Sequence, residues 1–170
     1  MFVKTLNAGQ ICLSPDYIYV KRGLEKDLIN ALKETFNEFF TEKNLDDYTS
    51  MVNDHHFERM DTYIQDAKDK GAEVIDLSPI DDSNKNIMST KILLNVNDDM
   101  LVMKEEIFGP LLPLKVYDEL SEVVNYINNH DHPLGLYFFG SSRKEQDYVI
   151  NNTRSGCLLY TSDAADEWLR

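Results

Sequence analysis

Short runs of β-branched and aromatic residues alternate along the chain with longer segments whose apolar residues recur at helical spacing. Five runs predict strands, at residues 17–20, 73–77, 91–96, 111–117 and 136–139. The strongest helical pattern places one apolar stripe on a charged segment, at Leu24, Leu28, Ile29, Leu32, Phe36, Phe39 and Phe40. Strands that alternate with helices of this length are typical of βαβ units. We therefore predict an α/β fold with a mostly parallel sheet flanked by helices.

Local signals predict where several elements begin and end. A second amphipathic helix should stop at Lys70 and Gly71, because a cation followed by glycine is typical of a helix C-terminus. Ser142 and Glu145 have the spacing of a capping box and should open the last helix. The continuously apolar run at residues 136–139 predicts a strand that is covered on both faces. Residues 80–86 are polar and predict a loop.

The acidic composition excludes two classes of partner. The chain has 170 residues, and 30 Asp and Glu against 17 Lys and Arg give a formal net charge of −13. Nucleic acids and anionic membranes are bound through Lys and Arg, so we expect neither partner. No apolar run approaches the ~20 residues that span a bilayer, and the N-terminus lacks the pattern of a signal peptide. Two cysteines are too few for a disulfide framework, and we expect a soluble, cytoplasmic protein.

Cys12 is the first candidate for chemistry. It stands in a stretch that reads GQICLSP, between a glycine turn and a predicted strand. Backbone N–H groups of a nearby turn favour the thiolate, which is the nucleophilic form of cysteine. The alternative is a buried structural cysteine, because free cysteine is among the most buried residue types.

A second candidate stretch, at residues 104–110, reads KEEIFGP. The adjacent carboxylates of Glu105 and Glu106, the aromatic ring of Phe108 and a Gly-Pro turn can place a hydrogen-bond acceptor and a flat apolar wall beside a ligand. The alternative is a solvated acidic turn ahead of a strand.

The sequence around His55 and His56 does not predict a metal site. Asp54 and Glu58 flank the two histidines, but no second cluster follows at a recognisable ligand spacing. Acidic residues are favoured in the first turn of a helix, so we predict a solvated helix N-terminus here and no bound metal.

Together, the two candidate stretches resemble the signature motifs of the NAD(P)-dependent aldehyde dehydrogenases. Residues 7–12, NAGQIC, resemble the catalytic-cysteine motif of that family, and residues 105–110, EEIFGP, are similar to its second signature. The SPDY that follows Cys12 and the HPLGLYFFG at residues 132–140 are most similar to the class 3 branch, and within it to the coniferyl aldehyde dehydrogenase-like proteins.

The resemblance implies oxidation of a small-molecule aldehyde to the carboxylic acid, with NAD or NADP as the cofactor. Cys12 would be the catalytic nucleophile, forming a thiohemiacetal and then a thioester, and its backbone N–H would be one donor to the oxyanion. Glu106 and Phe108 would bind the cofactor: Glu106 accepts hydrogen bonds from the ribose hydroxyls, and Phe108 packs near the nicotinamide. The resemblance also implies that the full-length protein is a homo-oligomer.

Both ends of the chain differ from the family pattern. The family's nucleotide-binding domain, oxyanion-hole asparagine and general-base glutamate precede the cysteine motif and would lie before Met1. We therefore expect residues 1–156 to be part of an aldehyde dehydrogenase catalytic domain that is inactive alone, and residues 157–170 to be a non-family tail, a sequencing artefact from adapter read-through. Two alternatives stay open, a non-catalytic truncated gene product and a thiol-based redox protein that uses Cys12.

Overall fold

A computed structural model describes residues 1–40, 47–77 and 86–161, with only the backbone described for residues 158–161. The helices are α1 (Phe2–Thr5), α2 (Glu25–Phe39), α3 (Asp54–Asp69), α4 (Leu120–Asn128) and α5 (Arg143–Asn152). The strands are β1 (Ile18–Lys21), β2 (Glu73–Asp76), β3 (Lys91–Leu94), β4 (Leu111–Tyr117), β5 (Gly135–Phe139) and β6 (Cys157–Thr161). Except for Asn86, the loop predicted at residues 80–86 lies outside the described residues.

The chain divides into two compact units, residues 1–116 and residues 117–170. The first unit contains a four-stranded sheet in the order β1-β4-β3-β2. Strands β3 and β4 run parallel, with Lys91 opposite Leu111, whereas β2 runs antiparallel to β3. The predicted α/β class, a mostly parallel sheet flanked by helices, is confirmed, with β2 as an antiparallel edge strand.

The second unit pairs β5 with β6 in parallel, with Gly135 opposite Cys157. The prediction that β5 is covered on both faces is wrong for this chain, because Leu136 is buried but Phe139 is 73% exposed. A run of four apolar residues does not by itself distinguish a strand covered on two faces from one covered on a single face. Strand β6 occupies the first five residues of the segment 157–170, whose origin stays a prediction.

The hydrophobic core of the first unit lies between the sheet and helices α2 and α3. Its largest fully buried apolar side chains are Phe36, Met60, Ile92, Leu93, Met100, Ile107, Leu111 and Leu114. Phe36 comes from the predicted apolar stripe of α2, and its ring contacts that of Tyr48 with centroids 5.9 Å apart. The Tyr48 hydroxyl is hydrogen-bonded to Thr90 Oγ1 at 3.0 Å, so this ring spans the core without leaving its polar atom unpaired. No helix of the described residues is long and apolar enough to cross a membrane.

The boundaries of α3 follow from its capping residues. The side chain of Asn53 accepts a hydrogen bond from the backbone N–H of His56 at 2.8 Å and caps the N-terminus. At the other end Gly71 has a φ of +95°, and its N–H and that of Ala72 donate to the carbonyls of Lys68 and Ala67. This is a Schellman motif, and it confirms the predicted helix end.

The start of α5 also agrees with its prediction. Ser142 Oγ accepts a hydrogen bond from the Glu145 N–H at 3.3 Å, as expected for an N-cap residue. The capping residue therefore begins this helix where the sequence placed it.

Substitutions of Gly71 test how much its left-handed conformation contributes to the stability of the chain. Nothing lies within 4 Å of a Cβ built at Gly71, so Gly71→Ala adds left-handed strain without a steric clash. We expect Gly71→Ala to lower the free energy of unfolding by about 1 kcal/mol, measured by urea denaturation. Gly71→Asn is the matched control and should lose less, because asparagine tolerates the left-handed region. Equal stability of Gly71→Ala and the unmodified chain would contradict this account.

Candidate active site

Cys12 lies in a tight turn that follows an unusual backbone segment. Asn7, Ala8 and Gly9 all have positive φ, at +52°, +53° and +73°. The chain then forms a turn in which the Ser14 N–H donates to the Ile11 carbonyl at 2.9 Å. Cys12 is exposed within this turn, so the alternative of a buried structural cysteine does not hold here.

The buried side chain of Gln10 anchors the loop that carries Cys12 through hydrogen bonds. Its Nε2 donates to the carbonyls of Asn7 at 2.9 Å and Ser50 at 3.1 Å. Its Oε1 accepts the backbone N–H of Val52 at 2.9 Å. The amide therefore uses both ends to join the loop to the segment that precedes α3. Among the described residues, no acceptor receives the N–H of Cys12, which leaves this donor available.

The two candidate stretches meet where Gly9 faces Gly109. A Cβ built on Gly9 would lie 2.3 Å from the Gly109 carbonyl oxygen, and one built on Gly109 would lie 2.5 Å from Met60 Sδ. Separations below 3.0 Å are not sustained by real Cβ atoms, so the two backbones approach this closely only because residue 9 is a glycine, whereas the absence of a Cβ at Gly109 leaves room for Met60 of α3. The loop that carries Cys12 thus packs directly on the loop that carries Glu106 and Phe108.

A partly buried carboxylate makes a second link between these loops. Asp16 Oδ1 accepts the backbone N–H of Ile107 at 3.2 Å. Lys4 is buried beside it, and Lys4 Nζ donates to the Pro15 carbonyl at 2.9 Å. Burial raises the pKa of Asp16 against the opposing attraction of Lys4, and burial lowers the pKa of Lys4 to about 8. Sequence reasoning missed both residues, although Asp16 belongs to the SPDY that follows the cysteine.

In the second loop, at residues 104–110, one buried residue lies between two residues that are exposed to solvent. Ile107 is fully buried, whereas Glu106 is exposed and Phe108 is 37% exposed. Phe108 also has a φ of +48°, which is uncommon for a residue with a bulky side chain. The loop is therefore more than a solvated acidic turn, because its central residue anchors it in the core.

Helix α3 holds the outer side of the second loop. Arg59 donates to the Glu106 carbonyl at 3.2 Å and also to the Ile107 carbonyl, and it forms an ion pair with Glu105 at 3.8 Å. The Tyr63 hydroxyl donates to the Glu105 carboxylate at 2.8 Å. Glu105, for which the resemblance gave no role, thus contributes to the support of the loop.

Of the two histidines near the start of α3, His56 contacts the second loop and His55 is exposed. The predicted helix N-terminus is present, since α3 begins at Asp54, but it is not only solvated, because His56 Nε2 lies 2.6 Å from the carbonyl oxygen of Phe108. Within the described ranges, no group of three or more His, Cys, Asp or Glu side chains is placed to hold a metal ion.

Comparisons with known proteins agree with these features. The sequence pattern of the aldehyde dehydrogenase family matches residues 1–166. A protein of Caulobacter vibrioides named as a probable coniferyl aldehyde dehydrogenase is 42% identical over 158 residues, which cover 90% of this chain and 33% of that protein. The mouse aldehyde dehydrogenase family 3 member A2 is 35% identical over 155 residues, covering 90% of this chain and 31% of that protein. The chain thus spans about a third of the length of these relatives.

A solved structure shows the same fold. Staphylococcus aureus AldH, in a substrate-bound state, superposes with a TM-score of 0.85 at 31% identity, covering 99% of this chain and 36% of that protein. The predicted similarity to the class 3 and coniferyl aldehyde dehydrogenase-like branch is confirmed by the relatives above. Both candidate stretches lie inside the matched residues, and the chain belongs to the aldehyde dehydrogenase family.

Proposed function

We propose that this chain supplies the nucleophile and part of the cofactor site of an enzyme that oxidises aldehydes to carboxylic acids with NAD or NADP. The observation that carries the proposal is the contact of Gly9 with Gly109, since it packs the loop of Cys12 against that of Glu106 and Phe108. A reaction that removes a hydride from a thiol-bound substrate needs the nucleophile and the hydride acceptor side by side.

Cys12 is the proposed nucleophile. Its thiolate attacks the aldehyde carbon, a carbon–sulfur bond forms, and the carbonyl electron pair becomes an oxyanion. The N–H of Cys12 has no acceptor among the described residues and can donate a hydrogen bond to that oxyanion. The side chain of Gln10 holds the turn that carries this N–H. After the hydride leaves, a thioester remains on Cys12, and its hydrolysis by water releases the acid and the thiol.

The second loop has side chains that suit a nicotinamide cofactor. Glu106 presents an exposed carboxylate, which can accept hydrogen bonds from ribose hydroxyls. Phe108 presents a partly exposed ring that can pack near the nicotinamide. When bound, the cofactor would supply the hydride acceptor, and these two residues would bind and orient it. The arrangement does not favour NAD over NADP.

The chain alone should not complete this reaction. By the family resemblance, the nucleotide-binding domain, the general base and the oxyanion-hole asparagine come from residues ahead of the cysteine motif. We therefore propose that the 170 residues alone bind NAD(P) weakly and hydrolyse a thioester slowly. The homo-oligomer that the resemblance implies would be formed by the full-length protein.

Acylation of the isolated chain tests the nucleophile directly. With p-nitrophenyl acetate, we expect Cys12 to form a stable thioester about tenfold faster than Cys157, because a backbone donor stabilises the oxyanion at Cys12. Peptide mass mapping measures both sites in one sample. Cys157 is the internal control, since it is also free and exposed. Equal acylation of the two thiols would contradict the role of Cys12.

A graft tests the complete reaction. In it, residues 1–156 replace the corresponding third of the Caulobacter vibrioides relative. We expect the graft to form NAD(P)H when an aldehyde is added, and Cys12→Ala to lower the rate at least about a thousandfold. The 170-residue chain should form none. A folded graft without turnover would favour a non-catalytic gene product, and turnover by Cys12→Ala would show that the nucleophile is another residue.

Glu106→Gln in the same graft tests the cofactor site. We expect the KM for NAD(P) to rise about tenfold, because hydrogen bonds to a charged acceptor are roughly twice as strong as neutral ones. Glu73→Gln is the matched control, since Glu73 is an exposed carboxylate on β2. An unchanged KM in Glu106→Gln would remove this residue from the proposed cofactor site.

A further inference from the structure

Phe108 has a backbone conformation that its own side chain disfavours. Its φ of +48° lies in the left-handed region, where a residue with a Cβ is crowded by its own backbone. Such a conformation persists only where surrounding contacts impose it. The structure must therefore contain groups that hold Phe108 in place.

His56 supplies one of these groups, and its contacts identify its tautomer. Arg59 Nε lies 3.4 Å from His56 Nδ1, and a guanidinium nitrogen can only donate. His56 Nδ1 must then accept, so the ring proton sits on Nε2. That N–H points at the Phe108 carbonyl oxygen, 2.6 Å from Nε2.

Arg59 completes the contact along the loop. Its guanidinium donates to the carbonyls of Glu106 and Ile107, and it lies over the Tyr63 ring at 5.0 Å. Three consecutive loop carbonyls, from Glu106 to Phe108, therefore accept hydrogen bonds from side chains on one face of α3.

We propose that His56, oriented by Arg59, is a positioning residue that holds Phe108 in its left-handed conformation and so fixes the place of its ring. The two rings are 6.3 Å apart and tilted by 58°, so a rotation of the Phe108 backbone would move its ring relative to α3. The consequence for the cofactor rests on the proposed function, whereas the constraint on the loop does not.

Hydrogen exchange of the 170-residue chain tests the constraint. We expect His56→Ala to speed amide exchange about tenfold in the peptide that covers residues 104–110, because Phe108 loses the bond that holds its carbonyl. His55→Ala is the matched control, since His55 is exposed and one residue earlier on α3. His56→Gln retains a side-chain N–H and should restore part of the protection. Unchanged exchange, or equal acceleration in peptides from α5, would overturn the proposal.

A second variant separates positioning from general packing. Glycine adopts the left-handed region without strain, so Phe108→Gly should need no support from His56. In that background, we expect His56→Ala to change exchange of residues 104–110 less than twofold. A full tenfold effect there would show that His56 acts on the loop by another route and would overturn the proposal.

The cofactor consequence has its own readout in the graft. We expect His56→Ala to raise the KM for NAD(P) about fivefold, with a smaller change in kcat. If exchange accelerates while the KM stays unchanged, the positioning of Phe108 stands and its proposed contact with the nicotinamide is wrong. If exchange does not change, the positioning inference fails whatever the KM.

Discussion

The candidate site depends on the close approach of two backbones, at Gly9 and Gly109. A methyl group on Gly9 would lie 2.3 Å from the carbonyl oxygen of Gly109, and one on Gly109 would lie 2.5 Å from the sulfur of Met60. Any larger residue would push the loops apart or displace the core beneath them. Because one loop carries Cys12 and the other Glu106, this contact brings the proposed nucleophile close to the proposed cofactor residues.

Side chains of the described residues pair with backbone groups of these loops and of the segments that the loops contact. Gln10 satisfies backbone groups around the cysteine turn, Asp16 receives the N–H of Ile107, and Arg59 binds loop carbonyls from the side of α3. Three side chains with distinct chemistry stay exposed on these loops: the thiol of Cys12, the carboxylate of Glu106 and part of the ring of Phe108. These contacts hold the exposed side chains and the available N–H of Cys12 in a defined geometry, which is the condition for electrostatic preorganisation.

Periodicity and capping signals predicted the elements well. The apolar stripe of α2 buries Phe36, and α3 ends at Asp69 with Lys70 as its C-cap and Gly71 in the left-handed region, as the residues indicate. These features were predictable because neighbouring residues determine them. The same reasoning was wrong about Phe139, and it did not reveal that β2 runs antiparallel, because coverage and strand direction depend on which elements pack together.

For the site, the sequence by itself determined the family and the three residues proposed to act, because short motifs of fixed spacing carry those side chains. Only the tertiary structure decided what holds them. Lys4, Asp16, His56 and Arg59 are far from the second loop in sequence or carry no motif of their own, yet they fix both loops. Hydrogen bonds between distant segments leave no periodic trace in the sequence, since they require only that folding bring one donor to one acceptor.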